Sequence, residues 1–192
     1  MSGEINTETP PYDVIERKNG YEIRRYRKQL WAQSTYEVPL NTDFSSGREA
    51  GFFPLFDYIS GNNNAQMKIS MTVPVIMQET KMDRTFQRTM TFIMSPSTFS
   101  SLNQLPMAND RSVRICEQSN LPALACITFN MTTTTAENAA KEQELRTAAY
   151  RDGILLSPNK SDVMYLTYNR PDIMPQYRRN EICIPVMSRR YR

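Results

Sequence analysis

Met67-Lys68-Ile69-Ser70-Met71-Thr72-Val73-Pro74-Val75-Ile76-Met77 decides how the rest of this chain is read. Ile69, Met71, Val73, Val75 and Met77 fall at every second position, with Ser70 and Thr72 between them. A period of two belongs to a strand with one buried and one wetter face, so the stretch predicts a strand over 67–77. Pro74 sits on the opposite parity and has no N–H to give a ladder, which predicts an edge, a bulge or a bend. A sheet that bends beside a methionine-lined face curls around something, its own core or a ligand.

Working outward, residues 1–11 read as a flexible polar lead that ends in Pro10-Pro11. Segments 12–16 and 21–26 read as extended around a turn at Lys18-Asn19-Gly20, and 30–38 as a further strand that Pro39 ends. A helix is expected within 45–60. Ser46 and Glu49 have capping-box spacing, Phe52, Phe56 and Ile59 share a face, and Gly61 stops it. Pro54 leaves two readings open: the helix proper begins near it, or the helix is kinked there. Met90, Phe92 and Met94 alternate as another strand.

Beyond a connector at 95–111 the pattern repeats. Segments 113–117 and 124–130 read as extended, and a second helix is expected over 135–151. Thr134 with Glu137 gives a capping box, Glu137/Lys141 and Glu142/Arg146 are paired one turn apart, and Gly153 stops it. Strands over 164–168 and 181–186 flank a loop at 169–180. Each half, about 12–94 and about 112–187, therefore reads strand–strand–helix–strand–strand. Duplication of a βαββ-type unit is the economical explanation, and coincidental α+β layering is the alternative. Residues 188–192 form a short basic tail.

Composition bounds the chemistry. The 192 residues are 40% hydrophobic and 22% charged, as in a globular domain with a substantial core. No apolar run is long enough to span a bilayer, and the first residues lack the apolar segment of a secretory signal, so a cytoplasmic location is expected. Cys116, Cys126 and Cys183 lie in apolar stretches and read as reduced core thiols. The net charge of +3 and the clusters Arg24-Arg25-Tyr26-Arg27-Lys28 and Arg189-Arg190-Tyr191-Arg192 come with no nucleic-acid motif, so no nucleic-acid partner is expected. There is no histidine. That excludes catalytic triads built on His, His-bearing metal sites and a proximal histidine on haem.

Several motifs in this order carry a resemblance. They are Gly20-Tyr21-Glu22-Ile23-Arg24-Arg25-Tyr26, Trp31, Tyr58-Ile59-Ser60-Gly61-Asn62-Asn63, Lys68-Ile69-Ser70-Met71-Thr72-Val73-Pro74-Val75, Tyr168-Asn169-Arg170-Pro171 and Arg178-Arg179-Asn180-Glu181-Ile182. From about residue 12 to 186 the chain resembles the SOUL/haem-binding protein family. The resemblance implies an α+β domain of two repeated βαββ halves, a distorted antiparallel barrel flanked by two helices. It also implies non-covalent binding of haem or another tetrapyrrole in a shallow apolar cleft beside the first helix, without enzymatic turnover. Basic side chains would face the propionates.

The cleft candidates here are Phe52, Phe53, Phe56, Ile59, Met71, Val73 and Met174, with core packing the preferred role for Phe56, Ile59 and Val73. The cations are Arg48, Arg178 and Arg179, and a salt bridge to Glu181 is the competing role of the last two. No metal-ligand set is expected. Without histidine, an axial ligand would have to come from Met, Cys or Tyr, and burial of the porphyrin face would drive binding. Two other functions compete with a haem buffer or carrier. One is a protein-interaction module that kept the fold and lost the ligand. The other is a sensor or hydrolase of amphipathic small molecules, which would need Glu22, Glu49 or Glu181 to face the cleft.

Overall fold

The computed structural model describes residues 5–191; the first four residues of the lead and Arg192 lie outside them. The strands are β1 (Tyr12–Arg17), β2 (Glu22–Tyr26), β3 (Gln29–Pro39), β4 (Val75–Lys81), β5 (Thr85–Ile93), β6 (Val113–Gln118), β7 (Leu124–Phe129), β8 (Met164–Thr167) and β9 (Asn180–Pro185). The helices are α1 (Glu49–Ile59) and α2 (Thr135–Arg151). All nine strands join one antiparallel sheet in the order β1-β2-β7-β9-β8-β4-β5-β3-β6. The α+β class is as expected. The sheet curls into a half-barrel that keeps two open edges, β1 and β6.

Read outward from the central β4–β8 pair, the order is nearly a palindrome. One side runs β4-β5-β3-β6, the other β8-β9-β7-β2, with β1 added at the end. The leading strands have changed places: β2 precedes β3 in the chain but pairs with β7, and β6 precedes β7 but pairs with β3. Each βαββ unit is thus completed by a strand from the other, which makes the two units one body.

Strand alternation divides the core into three parts. On one face, Leu30, Ala32, Met77, Met90 and Phe92 pack against Leu55, Tyr58 and Ile59 of α1. On that face of the other half, Ile23, Ala125, Ile127, Ile182 and Ile184 pack against Leu145 and Ala149 of α2. The opposite parity gathers Trp31, Ile76, Ile93, Leu124, Cys126, Met164, Leu166 and Cys183 inside the curl, where both halves meet. The helices therefore cover the sheet's outside, and the concave side has a core of its own.

The opening stretch departs from its expected form. The ladder begins only at Val75, after a cis Val73–Pro74 peptide, so 67–72 is extended chain outside the sheet. There the backbone bonds elsewhere: Ile69 N–H to Ile59 C=O at 2.8 Å, and Val73 N–H to Glu8 C=O at 3.0 Å. Parity breaks at the same place. Ile69, Met71, Val75 and Met77 pack on the α1 side, whereas Val73 packs inside the curl.

Two terminal segments are tied down. Glu8 accepts from Ser95 Oγ at 2.5 Å and Ser97 N–H at 2.9 Å, Ile5 packs on the concave core, and Pro10 is buried, so the lead is pinned from Ile5 onward rather than loose. At the other end Tyr191 is buried, donates to Glu16 and accepts from Arg25 at 2.8 Å.

The helix ends divide the sequence readings. α2 has its capping box, with Glu137 N–H on Thr134 Oγ1 at 3.2 Å, and Arg146 reaches Glu142 at 2.8 Å. Because Glu137 turns back to the cap, Lys141 pairs with Glu144 at 2.7 Å instead. α1 has no box: its N-cap is Arg48, without a side-chain cap, and Ser46 lies in a preceding turn that bonds to Asp43 C=O. Pro54 is inside α1, which begins at Glu49.

The three thiols are not all reduced. Cys126 and Cys183 face each other across the β7–β9 ladder with Cα atoms 4.2 Å apart, and they are joined as a disulfide. That separation is that of a non-hydrogen-bonded antiparallel pair, where side chains approach most closely. Cys116 is free.

Candidate functional site

α1 carries more apolar surface than it buries. Leu55, Tyr58 and Ile59 face the core, Phe52 sits half-buried at its border, and Phe53 and Phe56 gather beside Phe52 on the exposed side. The Phe52 and Phe56 rings, one turn apart, are 5.5 Å apart and 16° from parallel; Phe53 meets Phe52 edge-on at 6.1 Å. Phe52 also leans on Phe92 of the sheet at 5.5 Å, which anchors the cluster. Phe53 is 58% exposed and Phe56 45%, so Phe56 is not the core residue its spacing predicted. Ile59 is buried as expected, and Val73 lies on the other side of the sheet. Met71 is half-buried against the same core as Phe52.

Close packing sets the helix in place. A Cβ on Gly51 would run into the Tyr36 ring and come within 3.1 Å of Met90 Cβ. The loop before α1 is held by Arg88, a buried guanidinium that pairs with Glu79 at 2.7 Å and donates to the carbonyls of Ser46, Thr42 and Asp43.

Two cations stand at this end of the molecule without carboxylate partners among the described residues. Arg48 donates to Phe44 C=O at 3.2 Å and to Thr133 Oγ1. Arg178 donates to the carbonyls of Ile173 and Pro171, both at 2.6 Å, and not to Glu181. The Arg48 pKa is lowered, by burial above all, and the like charges of Arg88 and Arg178 act in the same direction. Arg178 stands on the loop between β8 and β9. The loop that carries it is tied to the same corner, through Asn130 on Gln176 C=O at 3.1 Å and Asn180 on Met131 C=O at 2.8 Å. Met174 is 55% exposed on that loop, with its sulfur 3.7 Å from Gln176 Nε2.

Arg179 goes elsewhere. Inside the curl it donates to Glu181 Oε1 at 3.0 and 2.6 Å, while Arg24 donates to both carboxylate oxygens at 2.7 and 3.2 Å. Thr128 and Tyr168 hydroxyls complete the shell at 3.1 and 2.9 Å. Burial alone would raise the Glu181 pKa; the hydrogen bonds and charges of Arg24 and then Arg179 outweigh it and hold the carboxyl below its usual range. Beside this network lies a cleft of about 510 Å³ on the concave face.

The structure thus places Phe52, Phe53 and Phe56 on α1 with Arg48 at its N-cap, packs Met71 against the same core as Phe52, and leaves Arg178 and Met174 on the loop between β8 and β9. It turns Arg179 to the opposite face. Sequence reasoning missed the disulfide and the concave cleft, since both depend on β7 lying between β2 and β9. The dense charge of 16–28 was the one sequence signal for the cleft. Among the described residues no three His, Cys, Asp or Glu gather as a metal site, and no helix is long and apolar enough to cross a membrane.

The fold is thus a curled α+β sheet whose helix α1 carries an exposed aromatic patch. The family model described as SOUL heme-binding protein matches residues 7–185, and the chain belongs to that family. Heme-binding protein 2 of Homo sapiens is 39% identical over 72 residues, 35% of this chain and 34% of that protein. Heme-binding protein 2 of Mus musculus is 37% identical over 65 residues, 34% of this chain and 30% of that protein. The matched segment spans about a third of each relative. Among solved structures, the C-terminal domain of EcmrR superposes with a TM-score of 0.59 at 13% identity, over 84% of this chain and 93% of that one. A hydrolase from Listeria innocua superposes with a TM-score of 0.54 at 6% identity, over 94% and 92%. Those two likenesses show the fold alone.

Proposed function

We propose that this chain binds haem or a related tetrapyrrole non-covalently on the Phe52–Phe53–Phe56 face of α1, as a buffer or carrier without enzymatic turnover. The observation that carries this reading is the pair of exposed phenyls, Phe53 and Phe56, set beside the half-buried Phe52 on a helix whose other side is buried. A soluble domain leaves such a patch uncovered at a hydrophobic penalty, and patches of this kind mark binding surfaces. A flat macrocycle suits it, because stacked rings offer a plane and burial yields about 25 cal/mol per Å².

The donor set fits the rest of a tetrapyrrole. Arg48 and Arg178, unpaired with any carboxylate among the described residues, are the cations available to propionates. Guanidinium forks match carboxylates in geometry as well as charge. For iron the chain offers thioethers at Met71 and Met174 and a phenol at Tyr177, and no imidazole. Bound haem would supply a redox-active iron; the protein's part is to cover one ring face and hold the propionates.

Parallel titrations with hemin and with iron-free protoporphyrin, followed by absorbance and by Trp31 fluorescence, test the reading. One-to-one saturation by both, within a few-fold in affinity, is expected of a site built on ring burial. Saturation by hemin alone, with a strong Soret shift, would replace it with an iron-ligand site. Saturation by neither would leave the family fold without the family ligand.

A further inference from the structure

The concave cleft of about 510 Å³ has no part in the helix-face site, and its size is that of a small-molecule pocket. Four cations line it, Arg17, Lys18, Arg24 and Arg179, against one carboxylate, Glu22; Tyr12 and Tyr21 contribute ring surface. Arg24 and Arg179 are committed to Glu181, whose side chain is 0% exposed. Arg17 and Lys18 are not committed in that sense. Arg17 meets Glu22 at the surface with 73% of its side chain exposed, and Lys18 reaches Glu16 from the rim. An exposed pair such as Arg17–Glu22 contributes roughly 0–1 kcal/mol, so Arg17 turns to a ligand at little cost; Lys18 and Glu16 are 22% and 25% exposed, and Lys18 is the more firmly held of the two cations. At Gly20 an added Cβ would meet nothing within 4 Å, so the turn leaves the mouth open.

The near-palindromic sheet supplies an internal comparison. When the halves are aligned on Trp31 and Leu124, Thr128 falls on Thr35 and Glu181 on Thr89, while Glu22 falls on Arg114. The corresponding groove of the first half holds about 270 Å³ and is lined by Gln, Thr and Ser with one cation, Arg114. The fold therefore does not require a carboxylate ringed by arginines, or two lysine- and arginine-bearing rim positions, at this place. They are particular to the second half.

We propose that the concave cleft binds an amphipathic organic anion, its aromatic body against Tyr12 and its acidic group at Arg17 and Lys18. The proposal does not rest on tetrapyrrole binding at α1. To keep the two separate, the test uses the full chain carrying Phe53→Ser and Phe56→Ser, titrated with the fluorescent anion 8-anilinonaphthalene-1-sulfonate. Saturable one-to-one binding is expected, weakened roughly ten-fold by Arg17→Glu with Lys18→Glu and progressively by added salt. The flat cation proflavine should not bind. If the charge-reversed pair unfolds, Lys18→Gln replaces it, with a smaller loss expected. Equal dye affinity with and without the rim cations, no saturation, or proflavine binding as well as the anion would each overturn the proposal.

Discussion

Glu181 shows how much of this molecule turns on single side chains. A carboxylate placed inside the curl is tolerable only because two guanidiniums and two hydroxyls meet it. Removing the charge by Glu181→Gln leaves Arg24 and Arg179 facing a neutral group, a change expected to destabilise the fold by about 3–5 kcal/mol at pH 7. The pH dependence has a definite sign. The folded pKa lies below the unperturbed 4.5, so the stabilisation is fully present above that value and is lost as pH falls through the folded pKa. Urea unfolding should therefore show a gap between wild type and Glu181→Gln that is constant from pH 7 to 5 and narrows below 4.5. A gap unchanged down to pH 3 would mean that Glu181 is not the charged centre described here.

Legibility in the sequence also varied residue by residue. The Arg179–Glu181 contact was readable, because strand neighbours two apart lie on one face. Arg178, on the other parity, was not separable from it. Cys126 and Cys183 looked like core thiols because nothing local says that their strands are adjacent and in register.

Among the elements, α1 is the one on which the binding account depends. Its existence was legible in the spacing of Phe52, Phe56 and Ile59, but its orientation was not. Ile59 faces the core, Phe52 borders it and Phe56 is exposed, a split that a single helical period cannot assign. Its start was misread for a physical reason: Arg88 draws the carbonyls of Thr42, Asp43 and Ser46 into its own shell, leaving Ser46 in a turn rather than at a cap. Gly51 allows the helix to lie against Tyr36 and Met90. Gly51→Ala should lower stability by about 1–3 kcal/mol, as overpacking does, although alanine is the better helix former. Thermal unfolding checks it; an unchanged or raised midpoint would show that α1 has room to shift. α2 was legible almost entirely, because its capping box is a local device.

For the whole molecule, the α+β class could be read from the order of extended and helical segments, with duplication its economical explanation, but not the place of β1 as a ninth strand at one edge or the exchange of β2 and β6. That exchange is a long-range pairing choice, and it puts three cores and two opposite faces on one sheet. The outer face offers rings at α1 with Arg48 and Arg178 nearby; the inner face offers a cleft ringed by cations. Assigning ligands to faces is the central claim. The most direct test measures hemin affinity of wild type against Phe53→Ser/Phe56→Ser, with unfolding followed in parallel. Both rings are exposed, so stability should change little. Covering about 100 Å² of each ring contributes roughly 2.5 kcal/mol at 25 cal/mol per Å², so hemin should bind at least about 10-fold more weakly to the variant even if the two rings are only partly covered. Unchanged hemin affinity in a variant of unchanged stability would contradict the account and move the tetrapyrrole off α1.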